Sequence, residues 1–361
     1  MSASRIRTGV VGCGKVAHLH ARALLNLEGA KFVGVHSRSA ERAEAFGKAY
    51  GVPAFGSVEE LVRSGGAQVV LVCTPHPEHA APAIEALEAG AHVLVEKPLA
   101  SSIEDCDRMI HRASAKRRSL GMISQRRLYP AVRRMKQAVA DGKIGVPVLG
   151  IATLLGWRSE EYYASDPWRG SPLGEGGGVL LNQGSHLVDI LQWIMGPVVE
   201  VSGYAGNMNH PFIEVEDTVV ACVRFARGGL GSLVLSNSQK PALYGKIAIF
   251  GRKGGSIGVQ TDGGDMFLPG KPGAVEAPRI DFWNVPGEEH LAAEWNVRDQ
   301  REFSSVDPTV HYHQLQIEDF LDTVRHSRTP MVSGEEGKKS VDIIQSIYRL
   351  QRERTERASA Q

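Results

Sequence analysis

Cysteine is scarce in this chain: four in 361 residues, at Cys13, Cys73, Cys106 and Cys222. No two of them have the spacing of a zinc ligand set or a redox pair, so no metal site is expected from them. They read as reduced small hydrophobes of a cytoplasmic protein. A charge excess is missing too. Lys and Arg number 41 against 40 Asp and Glu, a net charge of +1. That removes the electrostatic case for nucleic acid or a membrane surface as partner. The basic cluster HRASAKRR (111–118) falls on a predicted helix and reads as a solvated face. No run approaches the roughly 20 apolar residues of a membrane span. The opening MSASRIRTGVVG lacks the apolar segment and cleavage site of a signal peptide.

What is present is an alternation of strand and helix. The length suggests two domains, expected at 1–125 and 126–361. IRTGVV, KFVGVHSR, QVVLVCTP, AHVLVEKP and SLGMIS are strand-like, with helical patterns between them. Ser39 is placed to cap one helix and Gly51 to end it. Such alternation implies βαβ units and a doubly wound parallel sheet, covered on both faces.

At the first strand-to-helix turn stands GCGKVA (12–17), which fits G-x-G-x-x-G/A. Gly12 permits the tight turn, Gly14 lets a pyrophosphate approach, and Ala17 allows close helix–strand packing. Lys15 and Val16 complete the turn, and the helix N-terminus supplies amide donors. A dinucleotide is therefore expected. An acid ending the second strand would hold the ribose of NAD; this chain offers Ser37 and Arg38 instead. They suit a 2′-phosphate, or Arg38 stacks or faces water, so NAD and NADP both stay open.

Ligands of such sheets bind beyond the carboxyl ends of the strands. There VLVEKPLA (93–100) puts Glu96 and Lys97 after a buried strand, with Pro98 fixing the backbone. A half-buried lysine can exchange protons near neutrality; the bland reading is a Glu96–Lys97 surface pair. Thr74, Pro75, His76 and His79 in CTPHPEH, and Gln125 with Arg126 and Arg127 in SQRRLYP, are placed to line the same pocket. The two arginines either meet substrate oxygens or pair with acids.

Beyond residue 125 the pattern becomes β runs with hairpin turns at RGG and RKGG, an α+β domain with a mostly antiparallel sheet. Its open face needs covering, so a homo-oligomer is expected. The polar tail RERTERASAQ reads as frayed. In GEGGGVLLNQGSHLVDILQWIMG (174–196) a helix would put Asn182, His186 and Asp189 on one face, the histidine an oriented proton acceptor or a satisfied core residue. GWRSEEYYASDPWRG (156–170) brings Arg158, Tyr163, Trp168 and Arg169 together. Aromatic platforms with charged hydrogen-bonders suit a sugar ring, or an oligomer interface. His311 and His313 lie before a late helix, either able to reach the cleft, and make a poor metal site by themselves.

GCGKVA, CTPHPEHAAPAIEALEAGAHVLVEKPLA, GGGVLLNQGSHLVDILQWIMG and IEVEDTVVACVRF together resemble the Gfo/Idh/MocA oxidoreductases along nearly the whole chain. The resemblance implies an N-terminal Rossmann domain and a C-terminal α+β domain with a large, mostly antiparallel open sheet. It implies that Lys97 holds the reacting hydroxyl, that His186 takes its proton, and that hydride passes to a nicotinamide. Many members carry aspartate where this chain has Asn182, which can position but cannot relay a proton. SQRRLYPAVRRMKQAV, WRSEEYYASDPWRG, SNSQKPALYGK, GVQTDGGDMF and VPGEEH narrow the likeness to glucoside 3-dehydrogenases. The expectation is an NAD- or NADP-dependent oxidation of a sugar hydroxyl at C3, the cofactor tightly held or not. Arg126, Arg158, Tyr163, Trp168, Arg169, Asn182 and His311 would hold the ring. Inositol or nucleotide-sugar oxidation, and a non-catalytic dinucleotide sensor, are the alternatives.

Overall fold

The computed structural model describes residues 5–262 and 277–359. The last residues of GVQTDGGDMF (263–267) and the end of the tail (360–361) lie outside the described residues.

The chain opens with β1 (Ile6–Val11), α1 (Lys15–Asn26), β2 (Ala30–His36), α2 (Ala40–Tyr50), β3 (Ala54–Phe55) and α3 (Val58–Arg63). It continues with β4 (Val69–Val72), α4 (Ala80–Ala89), β5 (His92–Val95), α5 (Ile103–Lys116) and β6 (Leu120–Met122). Next come α6 (Pro130–Ala140), β7 (Pro147–Leu155), α7 (Glu160–Ala164), α8 (Ser185–Met195), β8 (Val198–Gly206), β9 (Thr218–Phe225) and β10 (Leu230–Ser236). The last are β11 (Gly245–Gly251), β12 (Ser256–Asp262), β13 (Arg279–Asn284), α9 (Leu291–Ser304), α10 (Pro308–His326) and α11 (Gly334–Ser359).

Two compact units result: 1–125 with 307–338, and 126–306 with 339–361. A contiguous second domain over 126–361 does not form, because 307–338 fold with the first unit. Ile317, Phe320 and Leu321 of α10 share one apolar cluster with Leu19 and Leu24 of α1.

The first unit holds a six-stranded sheet in the order β3-β2-β1-β4-β5-β6, every pair parallel. All four residues of β4 are buried, as a strand covered on both faces requires. Ser39 caps α2 by accepting from the Arg42 N–H at 3.2 Å, and Gly51 ends it in the left-handed region.

The second unit holds a seven-stranded sheet ordered β13-β12-β11-β7-β10-β9-β8, antiparallel except for β7 with β10. Gly228 and Gly254 take positive φ in the RGG and RKGG hairpins. Burial alternates along β9, so one face carries the core and α8 packs into that core. The tail expected to fray is helical to Ser359, and Gln351 and Arg354 both donate to the Gly203 carbonyl. Among the described residues no helix is long and apolar enough to cross a membrane.

Candidate active site

In the first unit the strand order reverses between β1 and β4, which opens a crevice at their carboxyl ends. Gly12 sits there at φ +92°, and a Cβ would lie 2.8 Å from the Cys73 carbonyl group. Only glycine fits. Gly14 caps α1, and a Cβ on it would meet no atom within 4 Å, so the helix start faces open space. Ala17 is fully buried beneath it. Positive φ at Gly12 and an open cradle at the start of α1 fit a dinucleotide pyrophosphate. Lys15 is exposed and Val16 half-buried at the same turn. After β2, Ser37 is half-buried, while the exposed Arg38 pairs with Glu78 at 2.9 Å.

The loop after β4 is tied down. Thr74 Oγ1 donates to the Glu78 carbonyl at 2.9 Å, and Pro75 leads into a one-turn 3₁₀ helix (His76–Glu78). His76 is buried with its ring 5.9 Å from that of His79. His79 is fully buried, with Nδ1 2.9 Å from the Pro98 carbonyl oxygen and Nε2 3.0 Å from that of Thr74. Placed to line the cofactor pocket by its position in the sequence, it instead bridges two loops of the main chain. Burial pushes its pKa down against those hydrogen bonds.

Lys97 follows β5, half-buried, and its bond to Pro98 is cis. The acid beside it does not form a solvent-facing pair. Glu96 is buried, with Oε1 2.7 Å from His20 Nε2 and 3.5 Å from His313 Nε2, while Oε2 accepts the Lys97 backbone N–H at 3.1 Å. Burial alone would raise the Glu96 carboxyl; hydrogen bonds and charge from His20 and His313 hold it well below the usual range. His313 is thus spent inside the first unit, and His311 is half-buried on α10 with its ring 5.2 Å from that of Tyr312. No sequence spacing connects His20, Glu96 and His313. Gln125 is half-buried at the end of this unit.

In the second unit, Asn182 is not on the helix that carries His186. α8 starts at Ser185, and Asn182 lies in the preceding turn. The Gly184 N–H bonds the Val179 carbonyl at 2.7 Å, a five-residue step that breaks the α-helical register. His186, Asp189 and Asn182 are all buried, but the shared helix face joins only the first two. Asp189 takes a bidentate bond from Arg127, at 2.7 and 2.6 Å, with both side chains buried. Arg127 therefore meets an acid, and Arg126 is half-buried beside it in sequence.

Asn182 Nδ2 donates to Glu175 Oε1 at 2.5 Å and lies 3.4 Å from the Tyr162 hydroxyl. Tyr162 is the hub. Arg169 and Gln183 also donate to its hydroxyl, and the Arg158 and Arg169 guanidiniums lie 4.9 and 4.2 Å from its ring centre. Arg169 further stacks on Trp168 at 4.4 Å. Tyr163 is buried, accepts from Asn237 Nδ2 at 2.8 Å, and sets its ring edge to face against that of Tyr162 at 5.1 Å. Sequence reading named Tyr163 and missed Tyr162, Glu175 and Gln183. EGGG and NQ were visible, but not their contact.

A family model described as the oxidoreductase family with an NAD-binding Rossmann fold matches residues 6–123, and a Gfo/Idh/MocA C-terminal domain model matches 132–257. The 1,5-anhydro-D-fructose reductase of Ensifer adhaerens is 31% identical over 70% of this chain and 75% of its own. This chain belongs to the Gfo/Idh/MocA oxidoreductases. The myo-inositol 2-dehydrogenase of Thermotoga maritima is also 31% identical, over 69% of this chain and 74% of its own. The crystal structure of the WlbA dehydrogenase of Bordetella pertussis, in complex with NADH and UDP-GlcNAcA, superposes with a TM-score of 0.86 at 30% identity, covering 98% of this chain and 97% of that one. A Gfo/Idh/MocA protein of this make-up is a nicotinamide-dependent, sugar-type oxidoreductase. Against the aspartate expected in many members, Glu175 gives Asn182 a physical reason. A second carboxylate at hydrogen-bond distance from Glu175 would set two like charges together in a buried place.

Proposed function

We propose that this chain oxidises a secondary hydroxyl of a pyranoside, at C3, to the ketone. The observation that carries the reading is the cluster of the half-buried Tyr162, Trp168 and Arg169 with the buried Arg158, Asn182 and Gln183, the last two just ahead of His186 in the sequence. It combines flat apolar faces with fixed donors, as a sugar ring demands. Gly12, Gly14 and Ala17 hold the dinucleotide pyrophosphate, and Thr74 and His76 line the nicotinamide side. The nicotinamide supplies the hydride acceptor. Lys97 holds and polarises the hydroxyl, His186 takes its proton, and Asn182 orients the ring with Arg158 and Arg169. His311 is a further ring contact in this proposal. NAD and NADP are both accommodated, since Arg38 is present but engaged by Glu78.

Oxidation of a nucleotide-linked sugar is a second reading, favoured by the likeness to WlbA, whose structure holds UDP-GlcNAcA. Engagement of Arg127 by Asp189 leaves Arg126 as the diphosphate ligand from that stretch. A panel of methyl glucoside, myo-inositol and UDP-N-acetylglucosaminuronic acid separates the readings. Reduced nicotinamide is followed by absorbance, and ketone formation by product analysis, because a retained cofactor recycles without accumulating. Ketone from methyl glucoside alone supports the proposal; ketone from the nucleotide sugar alone replaces it with the second reading.

Tyr204 and Val220, paired across β8 and β9, and Leu230 are exposed on the outer face of the sheet. This face is proposed to bind a second copy of the chain. A monomeric mass by light scattering would overturn that.

A further inference from the structure

His20, Glu96 and His313 are 1%, 6% and 4% exposed, and their protons can be placed by elimination. His313 Nδ1 lies 2.6 Å from the Thr309 carbonyl oxygen, which only accepts, so Nδ1 carries hydrogen. Its Nε2 lies 3.5 Å from Glu96 Oε1, and a carboxylate repays a buried imidazolium where neutral carbonyls do not, so the positive charge of the trio falls on His313. His20 Nε2 donates to the same oxygen, and its buried Nδ1, which has no partner, is bare because an orphaned N–H would cost more. Burial keeps His20 neutral by pushing its pKa down, ahead of the opposing pull of Glu96. The trio sums to zero charge: one carboxylate, one imidazolium and one neutral imidazole.

We propose that His20, Glu96 and His313 form a charge-neutral clamp on the backbone of Lys97, and that all three are positioning residues for the reacting ammonium. The proposal rests on the role given above to Lys97. Glu96 Oε2 holds the Lys97 N–H, and His79 holds the carbonyl of the next residue, Pro98. The lysine thus stands between two anchored backbone groups. Neutrality has a purpose. An uncompensated carboxylate beside Lys97 would favour its charged form and oppose proton exchange. The other ionisable groups that face Glu96 do not upset the balance. Burial pushes up the Cys73 thiol and, beside it, that of Cys13, so both stay neutral. His79 faces two neutral carbonyls, which do not repay a buried cation, so it stays neutral as well.

The test has two arms on the full-length protein. Nitrogen NMR of ring-¹⁵N-histidine protein, with peaks assigned by His20→Asn and His313→Gln, reads protonation directly. His313 is expected doubly protonated and His20 singly protonated at Nε2. A neutral His313, or a metal ion bound one-to-one in the purified protein, overturns the clamp. The second arm is turnover of methyl glucoside, or of the panel sugar that replaces it. His313→Leu is expected to lower kcat roughly tenfold with the cofactor KM unmoved, and His313→Gln, which still donates, to recover most of it. Unchanged kcat in His313→Leu while Lys97→Ala is inactive overturns the positioning role. Full turnover in Lys97→Ala instead overturns the catalytic reading, and the clamp's purpose with it, whatever the NMR shows.

Discussion

Each unit buries a carboxylate that grips the main chain near a proposed catalytic side chain. In the first, Glu96 accepts from the Lys97 N–H. In the second, Glu216 accepts from the N–H groups of Gly178 and Leu180, at 2.9 and 3.0 Å, in the segment leading to Asn182 and His186. The two titrate in opposite directions. Two histidines hold the Glu96 carboxyl well below its usual range despite burial. Burial pushes that of Glu216 up to about 7, against hydrogen bonds from Tyr348 and the main chain. The partners decide the outcome. Backbone amides and a phenol orient a carboxylate but bring no charge to repay its desolvation; an imidazolium does. The same anchoring task thus yields a carboxylate held ionised at neutral pH in one unit and one poised near neutrality in the other.

The largest expected effect tests whether the anchored segments carry the chemistry. Lys97→Ala and His186→Ala are each expected to lower kcat by about 10³-fold, the scale of lost acid–base catalysis. Steady-state kinetics on the panel sugar measures both. A loss in only one would show that one anchored segment serves structure alone.

Next comes the sign of the pH dependence. Glu216 has a folded pKa above its ordinary 4.5, so it binds more protons folded than unfolded between 4.5 and about 7. Its contribution to stability falls as pH rises through that window, by about 3 kcal/mol in all. Glu96 has a folded pKa below 4.5, so its contribution is present above that pH and is lost as pH falls beneath it. Urea unfolding of Glu216→Gln and Glu96→Gln against the parent, at pH 3.5, 5 and 8, should give opposite slopes in separate windows. Slopes of one sign would break the comparison.

How far the sequence disclosed these arrangements follows from contact range. GCGKVA and EKP were legible because a turn and the strand end beside it are local: positive φ at Gly12 and a half-buried lysine after β5 need only neighbours. The strand alternation gave both sheets, although β3, with two residues, and β13 were too weakly patterned to be named. What stayed hidden depends on distant partners. His313 meets Glu96 only because α10 returns to pack in the first unit. Arg127 looked equally fit for substrate until Asp189 took it. Asn182 left the helix through a five-residue turn that no periodicity marks. Tyr162 and Tyr163 are indistinguishable until the direction of α7 is known.

A smaller effect sharpens the view of the second unit. Asn182→Asp would place a carboxylate where the amide now donates to Glu175, and is expected to cost about 2 kcal/mol of stability at pH 8. Glu175→Gln in the same chain should restore more than half of it. Urea unfolding of the single and double variants gives the coupling, and an additive double variant would show that the two side chains do not act as a pair.

The smallest expected effect concerns an exposed charge just beyond β2. Arg38 pairs with Glu78 across 2.9 Å, with side chains 75% and 44% exposed. An exposed pair of this kind is worth well under a buried one, about 0.5 kcal/mol, so Arg38→Ala should leave the unfolding midpoint nearly unchanged. Its consequence lies in cofactor choice. While Glu78 holds the guanidinium, a 2′-phosphate must compete for it. Glu78→Gln removes the competitor, and the KM for NADP is expected to fall roughly twofold, the kinetic equivalent of so weak a pair, with that for NAD unmoved. Adding salt should erase the difference, because exposed charges are screened within about a Debye length. A salt-insensitive shift, or one shared by NAD, would place the discrimination outside Arg38 and leave the exposed end of β2 without the role its sequence suggested.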